Sequence, residues 1–202
     1  APALANHEFQ LFYQPQLDLR TGRVVALEAL ARWPHREHKS VPPDEFIPLV
    51  EQSGLIGAFT DWAINTALRD VALWREEFPG LRVSVNMSAR NLVQPGFTES
   101  VLGHLRSHAL PASALTLELT EGEVMSDPNH ALAVLTELHQ AGIRIAIDDF
   151  GTGYSSLSYL KKLPVAEVKI DRSFVMNMLG SAEDIAIVES TIDLARSLGM
   201  ET

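Results

Sequence analysis

The chain has 202 residues, enough for one sizeable core or two small ones, with 46% hydrophobic and 21% charged residues and a formal net charge of -10. That carboxylate surplus excludes general binding to nucleic-acid polymers, which needs clustered Lys and Arg, but allows a small phosphorylated ligand neutralised by metal ions. The lack of cysteine excludes disulfides, thiolate zinc sites and cysteine nucleophiles, and no apolar run is long enough to span a bilayer.

A cytoplasmic location without membrane contact by this domain is therefore expected. Residues 1–8 lack an initiator Met and read as the remnant of an upstream linker, with the functional domain over 9–202. Phe9 to Leu17 alternates, with Phe9, Leu11 and Tyr13 on one face and Gln10, Phe12 and Gln14 on the other. Thr21-Gly22 makes a turn into a second strand over Val24–Trp33, so these two form an antiparallel hairpin. On the second strand Ala26, Glu28, Leu30 and Arg32 share a face. A polar loop over 34–43 leads to a helix opened by Pro43-Asp44 and stopped at Ser53-Gly54. A longer helix is predicted over about 58–77, then a strand over 81–88 with Asn86 on its polar face, and a helix over 97–108.

Leu115–Thr120 is the next strand, with Leu115, Leu117 and Leu119 opposed to Thr116, Glu118 and Thr120. Asp127-Pro128 caps a helix that Gly142 ends. Ile143, Ile145 and Ile147 then alternate up to the carboxylate pair Asp148-Asp149, followed by a loop with Gly151 and Gly153 and a short helix over 155–162. Val165–Asp171 reads as a strand with Lys169 and Asp171 on one face, and 183–198 as a last helix capped by Gly199. Strands alternating with helices predict an α/β fold. A polar face recurring opposite an apolar one favours a barrel with helices outside and a polar interior, its catalytic groups at the C-terminal strand ends.

Glu28, Asn86, Glu118, Asp148 and Asp149 are oxygen donors delivered by four strands, a set suited to one or two Mg²⁺ or Mn²⁺ ions that activate water and clamp a phosphodiester. Lys169 and Asp171 are placed to steady that water or the developing charge. Each residue alone reads more readily as a solvated or structural polar group, and Asp148-Asp149 alone as a strand-to-loop turn. Recurrence on one face favours a site. His104 and His108, spaced i, i+4, lack the Glu of a zinc-binding helix and read as surface histidines. Trp33, Trp62 and Trp74 read as packing residues.

Six motifs carry a resemblance: Tyr13-Gln14-Pro15, Glu28-Ala29-Leu30-Ala31-Arg32, Val85-Asn86-Met87-Ser88, Glu118-Leu119-Thr120-Glu121, Asp148 to Leu157, and Lys169-Ile170-Asp171. In this order and near this spacing they resemble the signatures of EAL-domain cyclic di-GMP phosphodiesterases, from about residue 9 to the end. The triplet Glu-Ala-Leu says nothing alone; six motifs in register are specific. The resemblance implies a modified TIM-like (β/α) barrel with one antiparallel strand. It implies hydrolysis of cyclic 3′,5′-di-GMP to linear 5′-pGpG with two Mg²⁺ or Mn²⁺ ions, Ca²⁺ being inhibitory. Glu28, Asn86, Glu118 and Asp148 would ligate metal and Asp149 would serve the second ion. Lys169 would contact the attacking water, supported by Asp171. Gln14 and Arg32 would contact the dinucleotide, and Glu121 would hold the metal-proximal loop from Asp149 to Leu157.

Family members continue past Leu198-Gly199-Met200 into a strand carrying Glu-Gly-Val-Glu, whose first Glu is a metal ligand or general base. This chain stops at Thr202, and Glu201 precedes the expected strand, so the domain is expected to be incomplete at its C-terminus. The resemblance also implies fusion to upstream sensory or cyclase domains and a homodimer. The alternatives are a non-catalytic cyclic di-GMP receptor and a protein-interaction module; Gln14 and Arg32 beside the carboxylates speak against the last.

Overall fold

The computed structural model describes residues 2–6, 8–34, 40–152 and 157–202, and these fall into two compact units, Ala1–Thr116 and Leu117–Thr202. Within each unit the strands lie in the sheet in chain order.

In the first unit, α1 (Pro2–Ala5) precedes the hairpin β1 (Gln10–Asp18) and β2 (Arg23–Arg32). The Asp18 carboxylate accepts the amides of Arg20 and Thr21, both at 2.9 Å, and Gly22 at φ 67° supplies the left-handed step that reverses the chain. The antiparallel register sets Gln14 opposite Glu28 and Gln10 opposite Arg32. The helices α2 (Pro43–Gln52) and α3 (Ile56–Trp74) follow, and β3 (Arg82–Asn86) then pairs parallel to β2, with Glu28 beside Ser84. The α3 residues Phe59, Ala63, Ile64, Ala67, Leu68 and Val71 recur at three- and four-residue intervals and are all buried.

The core of this unit is aromatic. Phe9, Phe46, Ile56 and Phe59 are buried together, and Trp33, Trp62, Ala3 and Leu4 pack against them. The Phe9 ring meets Phe59 edge-on at 5.1 Å and Trp33 at 5.4 Å between centroids. Residues of the expected upstream remnant thus contribute to this core. The strand predicted over 81–88 ends earlier, at Asn86, because Ser88 caps a helix. Its hydroxyl accepts the Arg90 amide and its amide donates to Asn91 Oδ1 at 3.0 Å, starting α4 (Ala89–Leu92). Then come α5 (Phe97–Ser107) and the first residues of β4 (Leu115–Thr120).

In the second unit β4 runs into α6 (Glu121–Ser126), a helix the sequence reading lacks. Thr120 and Glu123 cap each other's amides, a local signal that carries no apolar periodicity. After α7 (Pro128–Gln140), β5 (Arg144–Phe150), α8 (Leu157–Leu160) and β6 (Glu167–Ile170) come α9 (Arg172–Asn177) and α10 (Ala182–Leu198). The strand predicted to reach Asp171 stops at Ile170 because the Asp171 carboxylate caps α9. Residues 153–156, which hold Gly153 and part of the predicted loop and short helix, lie outside the described residues, as do 35–39.

The β5/β6 pair is parallel, and its register slips: Ile147 faces Val168, whereas Phe150 faces Ile170. Asp148 and Asp149 therefore share the level of Lys169, one residue more than the partner strand has. Glu201, placed by the sequence before any strand, pairs in parallel with β6. The Val168 amide donates to its carbonyl and its own amide donates to Ala166, both at 2.9 Å. Among the described residues no helix is long and apolar enough to cross a membrane.

Candidate active site

In the first unit the hairpin register puts Gln14 and Glu28 directly opposite each other, so both side chains leave the same face of the sheet. Glu28 Oε1 accepts the Asn86 amide at 3.1 Å from the neighbouring strand. Arg32, two residues along from Leu30, donates to the Ala31 carbonyl at 2.9 Å, and its guanidinium carbon stands 5.9 Å from the centroid of the Phe12 ring. Phe12 is 57% exposed. The alternation assigns it to the polar face, with Gln10 and Gln14. Four of the anticipated residues, Gln14, Glu28, Arg32 and Asn86, thus sit on the adjacent strands β1, β2 and β3.

In the second unit Glu118 is fully buried on β4, and its Oε2 accepts Lys169 Nζ at 2.7 Å. The same ammonium donates to Asp148 Oδ2 at 3.1 Å. One lysine therefore ties two carboxylates from different strands into a charged cluster, 20% exposed at the lysine and 21% at Asp148. The slipped register places Asp149 beside this group, in a left-handed conformation at φ 52° that non-glycine residues rarely take. Its amide donates to Asp148 Oδ1 at 3.0 Å.

Loss of solvent raises the Asp149 carboxyl above its ordinary value, the Asp148 and Asp171 charges raise it further, and Lys169 opposes them. Asp171 is held low by hydrogen bonds from the Ser173 hydroxyl and amide. Glu121, buried at the first position of α6, accepts the Gly151 amide at 3.2 Å and so grips the turn that follows Asp149.

Two carboxylates, Glu118 and Asp148, thus bind one ammonium, with Asp149 close by and Asp171 acting on Asp149 in turn. This negative excess, built from oxygen donors alone, suits a hard divalent cation and not a zinc site of nitrogen and sulfur ligands. His104 and His108 engage a neighbouring helix: His104 Nε2 lies 2.8 Å from Asp61 Oδ1 and His108 Nε2 2.9 Å from Asn65 Oδ1. Partial desolvation raises the Asp61 carboxyl, but hydrogen bonds from Ser100 and His104 outweigh it and hold it below its ordinary value.

Comparison with known proteins gives a match to the family described as EAL domain over residues 1–202. The chain is 40% identical over 200 residues to the bifunctional diguanylate cyclase/cyclic di-GMP phosphodiesterase MucR of Pseudomonas aeruginosa, covering 98% of this chain and 29% of that protein. It is 38% identical over 191 residues to the cyclic di-GMP phosphodiesterase PA2567 of the same organism, covering 95% and 32%. It spans less than a third of the length of these curated relatives. A solved structure titled PaMucR phosphodiesterase, c-di-GMP complex, matches with a TM-score of 0.93 at 40% identity, covering 98% of this chain and 81% of that one. That likeness bears out the expected fold class, a modified TIM-like α/β barrel with one antiparallel strand.

Proposed function

The chain belongs to the EAL domain family, and on that premise we propose that it hydrolyses cyclic 3′,5′-di-GMP to linear 5′-pGpG, as the signalling output domain of a multidomain protein. Water adds to one phosphorus and its P–O3′ bond breaks, leaving a free 3′-hydroxyl and a 5′-phosphate. The observation that carries the reading is the Lys169 ammonium shared between the buried Glu118 and Asp148. Keeping a buried carboxylate charged costs folding energy, and so polar a cluster at strand ends is hard to explain by packing alone.

Within the first unit Glu28 and Asn86, and within the second Glu118, Asp148 and Asp149, are the residues that would hold metal. Mg²⁺ or Mn²⁺, when bound, supplies an acidified water and neutralises phosphodiester charge. Lys169 holds a donor proton toward the attacking water while fixing both carboxylates. Asp171 supports the metal and water site from its place at the cap of α9. Glu121 fixes the Gly151 amide and with it the turn. Gln14 and Arg32 bind the dinucleotide from the β1/β2 face, where they flank Glu28. Two relatives named as cyclic di-GMP phosphodiesterases and a neighbour solved with c-di-GMP support this substrate.

The test is incubation of the purified chain with cyclic di-GMP and Mg²⁺ or Mn²⁺, with products separated by chromatography. Linear pGpG is expected with either ion, and none with Ca²⁺ or in Asp148→Asn. A folded protein that binds cyclic di-GMP without turnover would overturn the enzyme reading in favour of a receptor.

A further inference from the structure

The turn that closes β5 begins at Asp149, and it is fixed at more points than the carboxylates and Lys169 require. Glu121 holds the Gly151 amide from one side. From the other comes Phe174, on the short helix α9. Gly151 has φ 100°, and a Cβ built there would stand 3.1 Å from Phe174 Cε2, 3.7 Å from its Cζ and 3.7 Å from Ile187 Cγ2. The ring edge therefore lies against the backbone of the turn, so close that a side chain at Gly151 would push the ring back by a few tenths of an ångström.

The placement of α9 makes this contact specific. The helix begins directly after Lys169-Ile170, with Asp171 as its cap. None of its residues is fully buried, and Val175 and Met176 are 45% and 65% exposed. Phe174 is its half-buried aromatic. A ring placed only to fill a core would be expected to disappear into one; this ring instead abuts the turn two residues after Asp149.

We propose that Phe174 is a positioning residue: its ring edge sets the height of the Asp149–Gly151 turn and so holds the Asp149 carboxylate where a divalent cation can use it. The left-handed backbone at Asp149 is costly for a residue with a side chain and persists only when its surroundings fix it. Glu121 on α6 and Phe174 on α9 supply that constraint from separate elements. The inference rests on the phosphodiesterase reading for its consequence, but its first readout is metal binding.

The test compares the full chain with Phe174→Ala, Phe174→Leu and Val175→Ala. Each is checked for folding by far-UV circular dichroism, then titrated with Mn²⁺ by electron paramagnetic resonance and assayed with cyclic di-GMP across Mn²⁺ concentrations. Phe174→Ala is expected to weaken Mn²⁺ binding about 10- to 100-fold, as loss of a residue supporting a metal ligand does, with excess Mn²⁺ restoring much of kcat while KM for cyclic di-GMP stays close to wild type. Phe174→Leu keeps apolar volume but loses the ring edge, so it should fold and show the same defect in milder form. Val175→Ala should leave both readouts unchanged.

Wild-type Mn²⁺ affinity in folded Phe174→Leu and Phe174→Ala would overturn the proposal, and so would an equal loss in Val175→Ala, which would assign the effect to the helix as a whole. Should the wild-type chain bind Mn²⁺ but hydrolyse nothing, the phosphodiesterase reading fails and the Mn²⁺ comparison still decides the role of Phe174.

Discussion

Glu28 on β2 and Glu118 on β4 are both strand carboxylates, and the two units hold them by different means. Glu28 is half-buried and accepts a hydrogen bond from the neutral side-chain amide of Asn86. Glu118 is fully buried and shares the Lys169 ammonium with Asp148. A half-solvated carboxylate with an amide neighbour keeps its charge at little folding cost. A buried one must bring a cation with it, and its unit then depends on that cation. Function can therefore be separated from stability at Glu28, and much less easily at Lys169.

Lys169→Met should show the largest effect. With the ammonium gone, two neighbouring carboxylates lose their common partner, and urea unfolding should report a loss of about 3 kcal/mol together with loss of turnover. A loss too small to resolve would mean that water or protonation already satisfies Glu118. Glu28→Gln should break the parallel: hydrolysis falls by more than about 100-fold, since it removes a proposed ligand and not merely its support. Its unfolding free energy should stay within about 0.5 kcal/mol of wild type, as for surface substitutions.

The pH dependence sharpens the contrast further. The folded chain raises the Asp149 carboxyl, so across that window it binds more protons than the unfolded chain does. This group's contribution to the stability of the metal-free protein must therefore fall as pH rises from the ordinary carboxylate range through the raised value. Asp149→Asn should remove that slope, seen as the difference between the two melting-temperature profiles. Equal profiles would show that Asp149 is not perturbed. The smallest change is expected for His104→Ala, which removes a half-buried partner of the exposed Asp61 in the first unit and should cost less than about 1 kcal/mol in urea unfolding.

The sequence made most of the elements legible because their apolar residues repeat with clear periods. The hairpin was readable from Phe9–Leu17 and Thr21-Gly22, and the last helix from its Gly199 cap. The helices α4 and α6 were not, since each is announced by a capping pair, Ser88 with Asn91 and Thr120 with Glu123, and not by an apolar stripe. The site residues were legible as residue types on one face. What no period could reveal is the slipped β5/β6 register, an extra residue in one strand that brings Asp148 and Asp149 to the same lysine. Phe174 escaped for a related reason: its contact is with a backbone, and Gly151 has no side chain to covary in pattern with it. Residues 1–8 read as a tail because they carry too few apolar groups to form a period, although Ala3 and Leu4 are enough to pack on the Phe9 cluster.

The aromatic core of the first unit has an optical consequence. All three tryptophans, Trp33, Trp62 and Trp74, lie within Ala1–Thr116, and Leu117–Thr202 has none. Trp33 and Trp62 pack on the Phe9 cluster and Trp74 meets Tyr13 edge-on at 4.7 Å, so their emission reports the solvent exposure of this half alone. Circular dichroism sees the helices of both halves. Heated together, the two signals trace one curve if the halves come apart as one cooperative body, and separate curves if the half carrying Lys169 melts on its own schedule. The chain thus carries a built-in fluorescent label on one side of its own midpoint.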